Sequence, residues 1–408
     1  MQYKLGCPRC GAPIGLDESE HIIDCPYCRV RHIITSPGHL TCLIPPRHEN
    51  RPEKTIYVPY WHFRGLTFAM TGPEIRHRIL DISYLAARIK GIPYSLGLRT
   101  QTQSLHFAGP NSNSLYIKPA IKKNSLVRKI GSRLLGLGPS QAEPPLQSHI
   151  GDLVMLVHSP VFALKDKIYD GLTGNMLKEV SPDSILKQSA PEPDTKPSFQ
   201  PAICPHCGWD LCGDNSSLIQ FCDNCRRMWT SIQGKLHNID YAFAGEKDAR
   251  LTWLPFWEIE VKNSMLGLNS RDDLVRLANL PRVTDAKADS KPLTFLIPAF
   301  KLNPALFLRL SRQSTVFGFA SKKPRDFNPS DTFPCTLPVS EAYEAIIPVI
   351  YDLAQDKKDI RSRLSRSKFL LRRCRALFLP FMEQGSELIQ PDMNVAVPAS
   401  ALRFGQKL

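Results

Sequence analysis

A four-cysteine pattern occurs twice in this chain of 408 residues, and it fixes where two small folding nuclei must form. Cys7 and Cys10 precede Cys25 and Cys28, and Cys204 and Cys207 precede Cys222 and Cys225, with 14 residues between the Cys-x-x-Cys pairs of each copy. The copies are 197 residues apart, from Cys7 to Cys204 and from Cys25 to Cys222. One tight Cys-x-x-Cys turn offers two thiolates, so two turns joined by a hairpin complete a tetrahedral shell of soft ligands. Gly11 and Gly208 follow the leading pairs, where the backbone must curl toward the metal. The eight cysteines are expected to bind two Zn2+ ions. Iron in a rubredoxin-like site is the alternative, since it also accepts four thiolates. Cys42, Cys212, Cys335 and Cys374 fall outside the pairs and are expected to pack as small buried hydrophobes.

The repetition continues beyond the cysteines. Ile56-Tyr57-Val58-Pro59-Tyr60-Trp61 follows the first copy and Thr252-Trp253-Leu254-Pro255-Phe256-Trp257 the second, with Trp61 and Trp257 offset by 196 residues. A weaker match sets Pro93–Leu98 against Pro292–Ile297, offset by 199. The expected fold is α+β and β-rich: a tandem duplication of a zinc ribbon followed by a mainly antiparallel β domain with a few helices. Pro removes a ladder donor, so the Pro-aromatic-Trp strands are expected at sheet edges or bulges, with Trp61 and Trp257 packed in the core.

Composition divides the chain. The expected units are a first ribbon at 1–40, a β-rich domain at 41–180, a stiff Pro-rich linker at 181–203, a second ribbon at 204–236 and an α+β domain at 237–408. Strands are expected at Leu153–His158 and Ala163–Tyr169. Ile75, Ile79, Ile82, Ala86 and Ile89, recurring at four and three, predict an amphipathic helix. Ser340 is a candidate cap for a second helix through Leu353, which Pro348 would kink or shorten.

The net charge is +14, and it is locally concentrated. No Asp or Glu occurs from 82 to 142, where Lys118, Lys122, Lys123, Arg128, Lys129 and Arg133 lie; Arg361, Arg363, Arg366, Lys368, Arg372 and Arg373 form a second cluster. Such clusters can neutralise phosphates, or face an acidic protein or an anionic membrane surface. The start lacks a basic-then-apolar signal and no apolar run approaches a transmembrane span, so a soluble, cytoplasmic chain is expected. Phosphate-loop, Gly-x-Ser-x-Gly and His-Glu-x-x-His motifs are missing from the sequence, and four thiolates leave a metal no open position. The chain is therefore expected to have no turnover, with His62, His77, His106 and His158 scattered.

With these motifs in view, the chain resembles uncharacterised bacterial proteins that pair zinc ribbons with Val/Leu-Pro-Tyr/Phe-Trp strands; Pro93–Arg99 and Phe378-Leu379-Pro380-Phe381 add to that likeness. The ribbons alone are similar to those of general transcription factor B and RNA polymerase subunits. The resemblance implies the eight cysteine ligands and carries no activity. The expected function is a non-catalytic interaction or assembly module whose partner is another protein. Nucleic-acid binding through residues 88–133 and 357–375 is the alternative, and an iron redox role the third.

Overall fold

Each half is built around its Pro-aromatic-Trp strand. The structure, a computed structural model, describes residues 2–17, 20–35, 40–47, 55–102, 104–107, 114–122, 126, 146–190, 198–245, 250–281, 291–320 and 332–405. In the first half, β1 (Thr41–Leu43), β2 (Thr55–Met70), β3 (Ile75–Leu85), β4 (Leu146–Leu164), β5 (Lys167–Asp170) and β6 (Met176–Leu177) share one sheet. In the second, β7 (Tyr241–Phe243), β8 (Leu251–Lys262), β9 (Thr294–Pro298), β10 (Leu370–Gln384), β11 (Glu387–Gln390) and β12 (Val395–Pro398) do the same.

The two sheets repeat one register. Trp61 faces Leu156 across the β2–β4 ladder, and Trp257 faces Ala376 across β8–β10. On the other side Trp61 pairs with Tyr84 and Trp257 with Ile297. Leu43 runs parallel to His158 as Phe243 does to Phe378. The correspondence reaches side chains: Trp61 Nε1 donates to the Ile121 carbonyl at 2.7 Å, and Trp257 Nε1 to that of Leu337 at 2.8 Å. Both indoles are buried. The tandem duplication is thus a property of the fold as well as of the sequence.

That register corrects three expectations. The predicted helix over 75–89 is strand β3 through Leu85, paired with β2 from Met70 to Tyr60; its β-branched isoleucines suit a pleated surface, and Ile79 is exposed. The weaker match of Pro93–Leu98 to Pro292–Ile297 is coincidental. Residues 294–297 of β9 take the place of 81–84 of β3, whereas 93–98 follow β3 as a turn. The Pro-aromatic-Trp strands are central rather than at edges. Pro59 sits where the neighbour of β2 changes from Ser114–Ile117 to β3, and Pro255 where that of β8 changes from Thr332 to β9. At such a changeover the missing N–H breaks no ladder bond, while each proline carbonyl still accepts, from Ala86 or Ala299 at 2.9 Å.

Smaller differences are local. The strand expected over 163–169 is divided by a tight turn at Lys165-Asp166, both at positive φ. The helix expected from Ser340 is two helices, Val339–Glu344 after Pro338 and Ile346–Leu353, the break at Ala345 leaving Pro348 in a first turn where its missing N–H costs nothing. Within 181–203 the described residues form a short helix, Pro182–Leu186, and strands Ser189–Ala190 and Ser198–Pro201.

The halves are packed together. Leu66, Phe68, Met70 and Ile150, on the extended parts of β2 and β4, belong to the same core as Phe256, Phe295, Phe307 and Phe381 of the second half. Gly65 and Gly151 cross so closely at the bulge in β4 that a Cβ on Gly151 would lie 2.3 Å from the Arg64 carbonyl oxygen. The Gly151 amide donates to Glu341 Oε2 at 3.0 Å and Ser148 Oγ to the Glu344 carbonyl at 2.8 Å, fixing helix Val339–Glu344 on β4.

Candidate metal centres

The two cysteine pairs of each copy meet as the spacing predicts. In the first, the Cys7 amide donates to Ala12 O and the Gly11 amide to Cys7 O; the second pair repeats this with Cys25 to Val30 and Arg29 to Cys25. The second copy has the same four bonds at Cys204, Gly208, Cys222 and Arg226. Each turn closes on a residue at positive φ: Gly11 and Gly208 at 75°, Arg29 at 59° and Arg226 at 57°. Glycine meets that demand without a Cβ penalty, and the arginines accept it in the trailing turns.

The sulfur atoms converge. Cys7 and Cys28 Sγ are 3.7 Å apart, as are Cys10 and Cys25; in the second copy Cys204–Cys225 is 3.6 Å and Cys207–Cys222 3.4 Å. All four ligand atoms of each group lie within 4.8 Å of one another. A tetrahedron with metal–sulfur bonds of about 2.3 Å has edges of about 3.8 Å, so these sets fit a four-coordinate thiophilic ion. Backbone amides ready one thiol in each set: the Cys10 amide brings Cys7 down to about 6, and the Trp209 amide with the Asn224 side chain brings Cys207 to about 6. The Ala12 amide lowers Cys10, but burial and then hydrogen bonding with the neighbouring thiols outweigh it and raise Cys10 to about 11, and burial raises Cys225 to about 12. The lowered thiol is the readier of each set to ionise, and a bound cation would lower the rest.

The ribbons also bind each other, which the sequence did not signal. Arg31, at the position of Met228 in the second copy, reaches across to donate to Leu211 O at 2.9 Å, Gly213 O at 2.8 Å and Asn215 Oδ1 at 3.1 Å. Strand Ser198–Pro201, immediately before the second ribbon, pairs with Arg31–Thr35 of the first. Ile22, Ile33, Ala202, Leu211 and Trp229 share a core with Cys204 and Cys222. The first ribbon is stitched into the main sheet as well, its strand Gln2–Gly6 lying parallel to Ser104–Phe107. Two knuckle aromatics remain outside these contacts: Tyr27 is 68% exposed and Trp209 60%.

The other candidate residues are dispersed. Cys42 and Cys335 are buried; Cys212 is half-buried and donates to Asp223 Oδ2 at 3.0 Å. Lys118 and Lys122 are exposed, while Lys123, Arg128, Lys129 and Arg133 lie outside the described residues. Arg363 is tied to Asp359 and to the Leu266 carbonyl, and Arg373 to Asp240 at 3.6 Å; Arg361 is half-buried, and Arg366, Lys368 and Arg372 are exposed. His62 is fully buried with Nε2 3.5 Å from Asp81 Oδ1, and burial lowers its pKa. His158 is buried edge-on to Tyr116, His77 packs near Phe68, and His106 is exposed. Among the described residues no helix is long and apolar enough to cross a membrane. No family model, curated protein or solved structure matches the chain, so the two four-cysteine groups are the part of the ribbon resemblance that the structure supports.

Proposed function

We propose that the chain is a non-catalytic interaction module in which two structural zinc ions hold a fused pair of ribbons and present Trp209 and Tyr27 to a protein partner. The observation that carries this reading is the exposure of both aromatics on turns closed by backbone hydrogen bonds around converging thiols, in ribbons joined to each other through Arg31. Large aromatics on rigid supports are the side chains that dominate protein interfaces. Four thiolates saturate the metal, which suits a structural role. The test is affinity purification of the native chain beside a Tyr27→Ala/Trp209→Ala variant, each with and without nuclease. Partners lost from the variant but resistant to nuclease are the expected result; partners held equally by both proteins would refute it. Loss to nuclease alone would instead favour nucleic-acid binding, a reading supported by the exposed Lys118, Lys122, Arg366, Lys368 and Arg372. A coloured protein containing iron would favour the redox reading.

A further inference from the structure

The end of the β8–β10 ladder at Lys262 and Leu370 combines two surface features. Three aliphatic side chains stand in solvent there: Met265 is 63% exposed, Leu370 56% and Leu371 48%. They are neighbours. Lys262, the last residue of β8, pairs with Leu370, and Val261 with Leu371. Met265 lies in the turn that follows β8, and Arg363 Nη2 donates to the carbonyls of Met265 (3.4 Å) and Leu266 (2.8 Å), holding that turn beside helix Lys357–Leu364. The register slips between Glu260 and Val261, so that Glu260 faces Arg373, Val261 faces Leu371, and Arg372 is the extra residue of a bulge. Leu370 to Arg373 are all exposed; Leu370 and Leu371, beyond the bulge, alternate faces at the last two pairs of the ladder, where both side chains are open to solvent.

Cations flank the two leucines in the sequence. Arg366, Lys368 and Arg372 are exposed, with Lys262 and Arg361 half-buried nearby in sequence. The acids of this region are engaged: Asp359 with Arg363, Asp240 with Arg373, and Glu258 with Arg375. Glu260, opposite Arg373, is half-buried. The remaining field is positive. Its partner must therefore be anionic and also accept aliphatic side chains. Nucleic acids meet the first condition, but non-specific strands are gripped by aromatic stacking platforms, and leucine and methionine offer no such face. A bilayer with acidic headgroups meets both, taking leucines at the acyl boundary while cations rest among the phosphates.

We propose that this tip, formed by Met265, Leu370, Leu371 and the surrounding Arg366, Lys368 and Arg372, docks the protein on an anionic phospholipid surface. The experiment is co-sedimentation of the full-length chain with phosphatidylcholine vesicles with or without phosphatidylglycerol, beside a fluorescence titration with duplex DNA. The expected result is binding to the phosphatidylglycerol vesicles alone, weakened about a hundredfold in Arg366→Gln/Lys368→Gln/Arg372→Gln, at about fivefold per cation. Leu370→Ser/Leu371→Ser, which leaves every charge in place, is expected to weaken vesicle binding at least about tenfold. Failure to bind acidic vesicles at low salt overturns the proposal. So does vesicle binding indifferent to the leucine pair, or DNA binding as tight as vesicle binding and equally dependent on the three cations. Circular dichroism and zinc content verify folding. Should the leucine pair not fold, Met265→Ser on the adjoining turn gives the same discrimination.

Discussion

Trp257 offers the sharpest test of how the duplicated sheets are held together. It is buried at the centre of β8, between Ala376 and Ile297, and its Nε1 donates to the Leu337 carbonyl at 2.8 Å, where Leu337 is itself buried. Trp257→Ala removes the whole indole from a packed site, for which the cost is about 3–5 kcal/mol. Trp257→Phe keeps most of the apolar volume but leaves the Leu337 carbonyl only the weak Cys335 thiol donor at 3.7 Å, an expected loss of about 1–2 kcal/mol. The two substitutions thus separate packing from hydrogen bonding. The same pair at Trp61 is expected to follow the same order, with a smaller Phe penalty, because the Ile121 acceptor lies in a half-buried segment that water can reach. Hydrogen exchange of the Trp257 and Leu377 ladder amides reads the local free energy without requiring the large chain to unfold in one step, and urea titration by circular dichroism gives a second measure. A loss below about 1 kcal/mol in Trp257→Ala would refute the reasoning, since that is the range of surface substitutions.

Further outcomes follow from the ribbons and from buried charge. Elemental analysis under reducing conditions is expected to give two zinc ions per chain, and Cys222→Ser to lose one and unfold its own ribbon; a variant that kept both would overturn the ligand assignment. Arg31→Met, which installs the residue of the second copy, removes three charge-assisted hydrogen bonds and is expected to weaken ribbon–ribbon packing by about 3–4 kcal/mol. Faster exchange of the His21 and Ile22 amides, both bonded to Asn215 O, would report it, and unchanged exchange would count against the clamp. Burial lowers His149 to about 4. The folded state therefore binds this proton more weakly than the unfolded chain, so its contribution is complete above about pH 6.5 and falls toward pH 4, by at most about 1.4 kcal/mol per unit. His149→Gln should flatten that part of a stability–pH curve.

The sequence was most legible where chemistry dictates spacing. Cysteine pairs cannot ligate one ion at arbitrary separation, so the metal groups could be read directly. Pro59 and Pro255 marked real equivalents, but their placement could not be read, because a proline tolerated at an edge is equally tolerated where a central strand changes neighbours. The isoleucines of β3 mimicked a helical face although none of them is buried, Ile75 and Ile82 being half-buried and Ile79 exposed, and the strand is defined by β2 rather than by its own periodicity. The Arg31 clamp left no trace: an arginine between Val30 and His32 says nothing of a carbonyl 180 positions away.

The strand Ser198–Pro201 gives the molecule a temporal order. The sheet of the first ribbon is finished by residues that leave the ribosome only after the entire first half, and Leu66, Phe68 and Met70 reach their core only when the second half has been made. During synthesis the first half therefore emerges with an unfilled β edge and uncovered apolar side chains, the surfaces that recruit chaperones or neighbouring nascent chains. A gene cut at the apparent repeat boundary would make that transient state permanent: two look-alike halves, neither of them an independent protein.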